Sequence, residues 1–238
     1  MIAIDTITVR FGGLVALNAV SAELTAPVAG IIGPNGAGKT TLMNVVSGFA
    51  RATGKVVVDG QDILRLAPHR RAQAGLRRSF QREQIADDLT AFENVLVQTD
   101  WSMTGGRAKR AEAAEMLRIV GLADRAEVTG ADLSGFERRL VDLARCMVGK
   151  PRLVMLDEPA GGMSVDETRR LGDLILQVPQ ITGAQVLLID HDVELIARIC
   201  TETLVLDFGR RIAFGATAEV LADPKVKAAY LGTEEVGA

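Results

Sequence analysis

A chain of 238 residues, 48% hydrophobic and 24% charged, can bury a full core without disulfides or a structural metal. Its 27 Lys and Arg against 30 Asp and Glu leave a net charge of −3, which argues against general binding to nucleic-acid backbones, and no nucleic-acid partner is expected. Two cysteines, Cys146 and Cys200, are too few for a disulfide framework and fit a reducing compartment. The opening MIAIDTITVRF lacks the basic segment and long apolar run of a signal peptide, and no stretch approaches the roughly 18 apolar residues of a membrane span. The expectation is a soluble, cytoplasmic chain whose contact with a membrane is peripheral.

In chain order, Ile2, Ile4, Ile7 and Val9 read as a half-buried strand or strand pair. The apolar VAGII (28–32) precedes a glycine-rich loop and the helix-like TLMNVVSGF (41–49). KVVVDGQDI (55–63) carries an Asp59-Gly60 hairpin turn. From about Asp87 to Arg139 no buried strand is evident; helical runs are punctuated by Gly105-Gly106 and Gly130. Helical spacing is clear in Ala113/Met116/Leu117/Val120, Leu140/Leu143/Ala144/Met147, Leu171/Leu174/Ile175/Val178 and Val193/Ile196/Ala197/Cys200. The last stripe makes Cys200 a small buried hydrophobe. RLVMLD (152–157) and QVLLID (185–190) are almost wholly apolar, as strands covered on both faces are, and TLVLDFGRRIAFG (203–215) reads as another hairpin. Strands alternating with helices predict an α/β fold with a mainly parallel sheet and an antiparallel β annex. The expected division is an α/β core at 1–86 and 140–238 interrupted by a helical subdomain at 87–139.

Gly33-Pro34-Asn35-Gly36-Ala37-Gly38-Lys39-Thr40 fits G-x-x-x-x-G-K-[ST] at every defined position, in the strand–loop–helix setting that such a phosphate loop needs. Glycines let main-chain N–H groups turn inward onto phosphate oxygens, and the following helix N-terminus adds a favourable dipole. Lys39 then reaches the β- and γ-phosphates of a nucleotide, and the Thr40 hydroxyl is a ligand for Mg²⁺. Asp157, at the end of an apolar strand, can hold Mg²⁺ through water, and the adjacent Glu158 can orient and deprotonate an attacking water. An acidic pair alone can simply end a strand; the upstream phosphate loop gives it meaning.

Between these motifs, Leu133-Ser134-Gly135-Phe136-Glu137 has the form of a capping box, Ser134 with Glu137 three residues on. It also resembles the signature, usually Leu-Ser-Gly-Gly-Gln, of ATP-binding-cassette (ABC) ATPases, at the family's distance from the acidic strand and followed by Arg138-Arg139. Gln81 in Arg78-Ser79-Phe80-Gln81 resembles the family's glutamine loop, and His191, one of two histidines, its switch histidine. Phe11 resembles the aromatic that stacks on adenine, although a hairpin or core role fits it equally. The resemblance covers essentially the whole chain. It implies a RecA-like phosphate-loop core with an inserted helical subdomain, and ATP with Mg²⁺ as cofactors. The ATP is held by residues 33–40 and Thr41, with Ser134 and Gly135 facing a second ATPase subunit's nucleotide; Glu158, His191 and Gln81 are catalytic, and Thr40, Gln81 and Asp157 lie on the metal. It also implies transmembrane permease subunits, indirectly a periplasmic or extracellular binding protein, and a location on the inner face of the membrane.

FGGLVALNAVS, RRSFQ, the LARCM helix and the terminal AAYLG look most like ATPases of branched-chain amino-acid importers. The YLG ending is shared with the ATPase of lipopolysaccharide export, the nearest alternative. Kinase and GTPase acceptor or guanine motifs are not evident. Non-transport members that act on DNA or ribosomes carry coiled coils or duplicated cassettes, which this chain does not show. Three positions depart from the family pattern: Phe136 for glycine, Glu137 for glutamine, and Ser164 where Asp is usual. These departures raise the expectation that Phe136 and Glu137 hinder a partner's nucleotide, leaving two unequal sites in a heterodimer.

Overall fold

The computed structural model describes residues 1–100 and 105–231. The chain opens with β1 (Ile2–Phe11) and β2 (Leu14–Leu24), which pair antiparallel, then β3 (Val28–Ile32), the phosphate loop and α1 (Lys39–Ser47). β4 (Thr53–Val58) and β5 (Gln61–Asp62) form the expected hairpin, and β4 returns to pair with β1. α2 (Pro68–Gln73) and a short β6 (Leu76–Arg78) lead to α3 (Ala91–Leu96), α4 (Gly106–Ile119) and α5 (Gly135–Met147). β7 (Leu153–Asp157), α6 (Val165–Thr182), β8 (Gln185–Ile189) and α7 (Val193–Ile199) follow. The hairpin of β9 (Glu202–Asp207) and β10 (Arg210–Ala216), then α8 (Thr217–Ala222) and α9 (Pro224–Leu231), end the described chain. The AAYLG run at 228–232 extends past it.

Two sheets result. The annex has the order β2-β1-β4-β5; the main sheet has the order β10-β9-β3-β8-β7-β6, parallel except for β10. Alternation along the strands explains how the layers stack. Leu153, Met155, Leu187 and Ile189 face one core shared with the annex and α1, where Leu42, Met43, Val45 and Val46 are buried. Val154, Leu156, Val186 and Leu188 face the other, filled by α5, α6 and α7. Being covered on both sides, β3, β7 and β8 are buried at every residue, which is why they read as unbroken apolar runs.

β6 was not legible as a strand. It has three residues, two of them arginines, and yet is buried or nearly so throughout. Arg77 donates to the carbonyls of Ala72, Leu76 and Gly149, so its charge is wrapped in backbone oxygens. Among the described residues, no helix is long and apolar enough to cross a membrane. Both cysteines are buried and free.

Candidate active site

The strand order places the motifs. β3, β8, β7 and β6 are neighbours with the same direction, so their carboxyl ends lie side by side, as ligand sites in open α/β sheets do. From those four ends emerge, in turn, the phosphate loop, His191, the Asp157-Glu158 pair and Gln81. Residues some 160 positions apart thus share one edge; the phosphate loop, Gln81 and Glu158 border a cleft of about 550 Å³, whereas His191 and Asp157 stand beside Glu158 and do not line it.

The loop is built by glycines that no other residue replaces cheaply. At Gly33 (φ 151°) an added Cβ would lie 2.1 Å from the Leu206 carbonyl oxygen, and at Gly38 (φ 100°) 2.7 Å from the Leu17 side chain and 2.9 Å from the Ala16 oxygen. Lys39 Nζ donates to the carbonyls of Gly33 (2.6 Å) and Pro34 (3.0 Å), tying the loop's entry to the start of α1. Burial pushes the Lys39 ammonium below its ordinary pKa; the charges of Glu158 and Asp157 oppose the shift. Asn35, Gly36, Ala37, Gly38, Lys39, Thr40 and Thr41 all line the cleft, with Gln81, Glu158 and Phe11. Phe11 is 55% exposed, so the core role weighed for it is excluded.

Glu158 is held from two sides. Gln81 Nε2 donates to its Oε2 at 2.6 Å, and His191 Nε2 lies 2.6 Å from its Oε1. Its backbone adopts φ 51°, a left-handed conformation that costs a non-glycine residue about 1 kcal/mol or more, and its N–H donates to the Ile189 carbonyl at the end of β8. Sequence reasoning missed how this loop is braced. Asp190, buried and with its pKa raised chiefly by that burial, accepts from the N–H groups of Ala160 (3.2 Å) and Asp192 (3.0 Å). It staples the loop carrying Glu158 to the loop carrying His191.

Asp157 lies behind Glu158 and is buried. Its carboxylate accepts from Arg78 at 2.8 Å, and the same guanidinium donates to Asn44 Oδ1 (2.7 Å) and Ser47 Oγ (3.1 Å) on α1 and lies over the Phe80 ring. Arg78 therefore locks β6, β7 and α1 together three residues before Gln81. Its motif was visible, but nothing local in the sequence marks Asp157 as its partner.

Ser134 and Gly135 are not among the residues that line this cleft. They open α5 as a full capping box: Glu137 N–H to Ser134 Oγ at 3.2 Å, Ser134 N–H to Glu137 Oε2 at 2.8 Å. That backbone bond, with the Arg125 guanidinium at 2.8 Å, holds the Glu137 carboxyl below its usual range. Within the chain, both residues that depart from the signature have local partners. Phe136 packs on the core with Arg170 at 5.4 Å from its ring centre, Glu137 is consumed locally, and a Cβ added at Gly135 would meet nothing within 4 Å. Ser164 likewise caps α6 in a box with Glu167.

A groove of about 390 Å³ lies between the core and the helices, bordered by Phe49, Phe80, Asp142, Arg145 and Cys146. Phe49 and Phe80 rings sit 5.9 Å apart, and Phe49 is 65% exposed. Asp142 is buried, which raises its pKa to about 6 despite Arg145 and Arg139 nearby. Asp142 Oδ2 and the Nε atoms of Arg78 and Arg145 are buried with no hydrogen-bond partner.

This architecture and site define an ABC ATP-binding cassette. Residues 17–161 match the ABC transporter family, and the chain belongs to it: it is a subunit that binds ATP and hydrolyses it. Residues 210–236 match a second family, the branched-chain amino acid ATP-binding cassette transporter. Among curated relatives, the chain is 35% identical to the high-affinity branched-chain amino acid transport ATP-binding protein BraF of Pseudomonas aeruginosa, over 98% of each chain. It is also 35% identical to the lipopolysaccharide export system ATP-binding protein LptB of Haemophilus influenzae, over 87% of this chain and 86% of that one. Of solved structures, the ADP conformation of MJ1267, an ATP-binding cassette of an ABC transporter, superposes with a TM-score of 0.87 at 27% identity and 98% coverage of both chains. The resemblance read from the motifs, and the α/β class read from the strands, hold.

Proposed function

We propose that this chain powers a membrane importer for branched-chain or related amino acids. The observation that carries this reading is the match of residues 210–236, which lie outside the shared cassette, to the branched-chain transporter family. It favours the importer over the lipopolysaccharide-export alternative, to which the cassette itself is about equally identical.

In this reading the main-chain N–H groups of the loop 33–40, proline excepted, and the Lys39 ammonium hold the β- and γ-phosphates, in a loop whose geometry leaves no room for a Cβ at Gly33 and Gly38. The Thr40 hydroxyl and the Gln81 amide oxygen border the cleft, and Asp157, buried and paired with Arg78, would act through a water; these hard oxygens suit Mg²⁺ held partly by phosphates. Bound there, the ion would neutralise charge on the transferring phosphoryl group. Glu158 accepts a proton from the attacking water, and Gln81 and His191 fix its two oxygens so that the carboxylate need not reorganise first. Ser134 and Gly135, which do not line this chain's own cleft, serve the nucleotide of a second cassette, so two subunits enclose the ATP between them.

The groove beside Phe49 and Phe80 receives the permease on the inner face of the membrane. Arg78 lines the groove and pairs with Asp157, the neighbour of Glu158, so pressure on the groove wall is felt at Asp157 and, three residues along the chain, at Gln81. The test is uptake of labelled leucine by cells that carry the chain with its co-purifying membrane subunits. Uptake that Glu158→Gln abolishes supports the reading; an unchanged leucine uptake, or co-purification with a lipopolysaccharide-export permease, contradicts it.

A further inference from the structure

Among the described residues, two tight hairpin turns have positive φ at both central residues, and they differ in one respect. In the β4–β5 turn these residues are Asp59 (φ 44°) and Gly60 (φ 81°), the types that tolerate such a backbone. In the β9–β10 turn they are Phe208 (φ 42°) and Gly209 (φ 72°). A phenylalanine in the left-handed region is disfavoured by its backbone, and this one is also 85% exposed, the most exposed large hydrophobic side chain among the described residues. Two unfavourable features meet at one residue, and fold stability explains neither.

The turn is fastened in place. Gly209 N–H donates to the Ala37 carbonyl of the phosphate loop at 3.0 Å, and the Gly209 carbonyl accepts from Asn18 N–H at 2.8 Å. The approach is so close that a Cβ at Gly209 would lie 2.5 Å from the Ala16 oxygen. Phe208 is thereby carried on the phosphate loop itself, and its side chain borders the same cleft as Lys39 and Glu158. Phe11 and Leu14, 55% and 66% exposed, border it from the β1–β2 turn. The cleft thus has a polar end, where phosphates sit, and an apolar rim made of three exposed side chains from two hairpins.

We infer that Phe208 is a base-contacting residue: the purine ring of the nucleotide packs against Phe208 as well as the Phe11 turn. Aromatic faces attract one another through offset or edge contacts, and a base presents a π face whatever its substituents. This rests on the cleft binding nucleotide at all, so the experiment separates the two. Binding of ADP and of inorganic tripolyphosphate, which has no base, is measured by titration calorimetry on the full chain. Phe208→Asn is the informative variant, because Asn suits a left-handed turn and keeps or raises thermal stability. It should weaken ADP at least about fivefold and leave tripolyphosphate unchanged. In a second variant, Phe208→Trp with the single Trp101 replaced by Phe, indole emission should respond to ADP and not to tripolyphosphate. Unchanged ADP affinity in Phe208→Asn, equal loss of both ligands, or a silent indole overturns the inference. A wild-type chain that binds neither ligand overturns the nucleotide site instead.

Discussion

The cleft and the groove are linked through Arg78, which lines the groove and pairs with Asp157 beside Glu158, and their polar groups are satisfied to different degrees. In the cleft, Lys39 has two carbonyl partners and Glu158 has a donor on each oxygen. In the groove, Asp142 Oδ2 and Arg145 Nε are buried with no partner. A buried polar atom without a hydrogen bond costs about 1–3 kcal/mol, so the groove is the less complete surface. The difference teaches that the chain's chemistry is pre-organised within itself, while the groove wall holds buried charge that is only partly paired.

The sharpest break in that contrast is Lys39→Ala. It removes the cation that faces the phosphates, so the Kd for ATP should rise by about 100-fold or more, read by titration with ATP. An affinity within threefold of wild type would move the phosphates elsewhere.

Arg78→Met cuts the link between the two regions and strands the buried Asp157 carboxylate. Removing one partner of a buried pair costs about 3–5 kcal/mol, and denaturant unfolding should show a loss of that order. Adding Asp157→Asn to the same chain should recover part of it, which separates lost charge pairing from lost packing.

Asp142 gives the groove a pH signature. Its carboxyl is raised to about 6 from 3.8, so the folded chain binds a proton that the unfolded chain does not between those values. The penalty for the buried charge is present above pH 6 and is relieved as pH falls through about 6 towards 4. Asp142→Asn should therefore stabilise the chain at pH 7.5 by on the order of 1–2 kcal/mol and flatten the rise in stability towards pH 5. A mutant whose stability tracks wild type at both pH values would place that carboxylate in water.

The smallest effect belongs to the signature. Phe136→Gly with Glu137→Gln restores the usual residues but touches groups already occupied by Arg170 and the capping box. Steady-state ATPase should change by less than about threefold. A tenfold gain would support two unequal sites.

The phosphate loop was legible because its chemistry is local: eight consecutive residues carry both the turn geometry and the charge. The buried strands β3, β7 and β8 were legible because burial on both faces leaves no polar position. What escaped depends on partners distant in sequence. β6 hides behind two arginines whose charges are met by Asp157 and by backbone carbonyls from elsewhere. Asp190 read as a strand end, and its bracing of the Glu158 loop needs Ala160, thirty residues upstream. Phe208 lay inside a hairpin that was identified correctly, yet the turn's attachment to Ala37 is visible only in three dimensions. Phe136 shows the same limit: its position in the signature was legible, but its packing against the core and the Arg170 guanidinium was not.

Single-turnover hydrolysis by Glu158→Gln, with ATP binding measured on the same sample, tests the central claim most directly. Glutamine keeps the shape and accepts a hydrogen bond but takes no proton, so ATP should bind within about threefold of wild type while phosphate release slows by about 100-fold or more. Phosphate release at the wild-type rate from that variant would contradict the account, because the proton would then be leaving the attacking water by a route that bypasses Glu158.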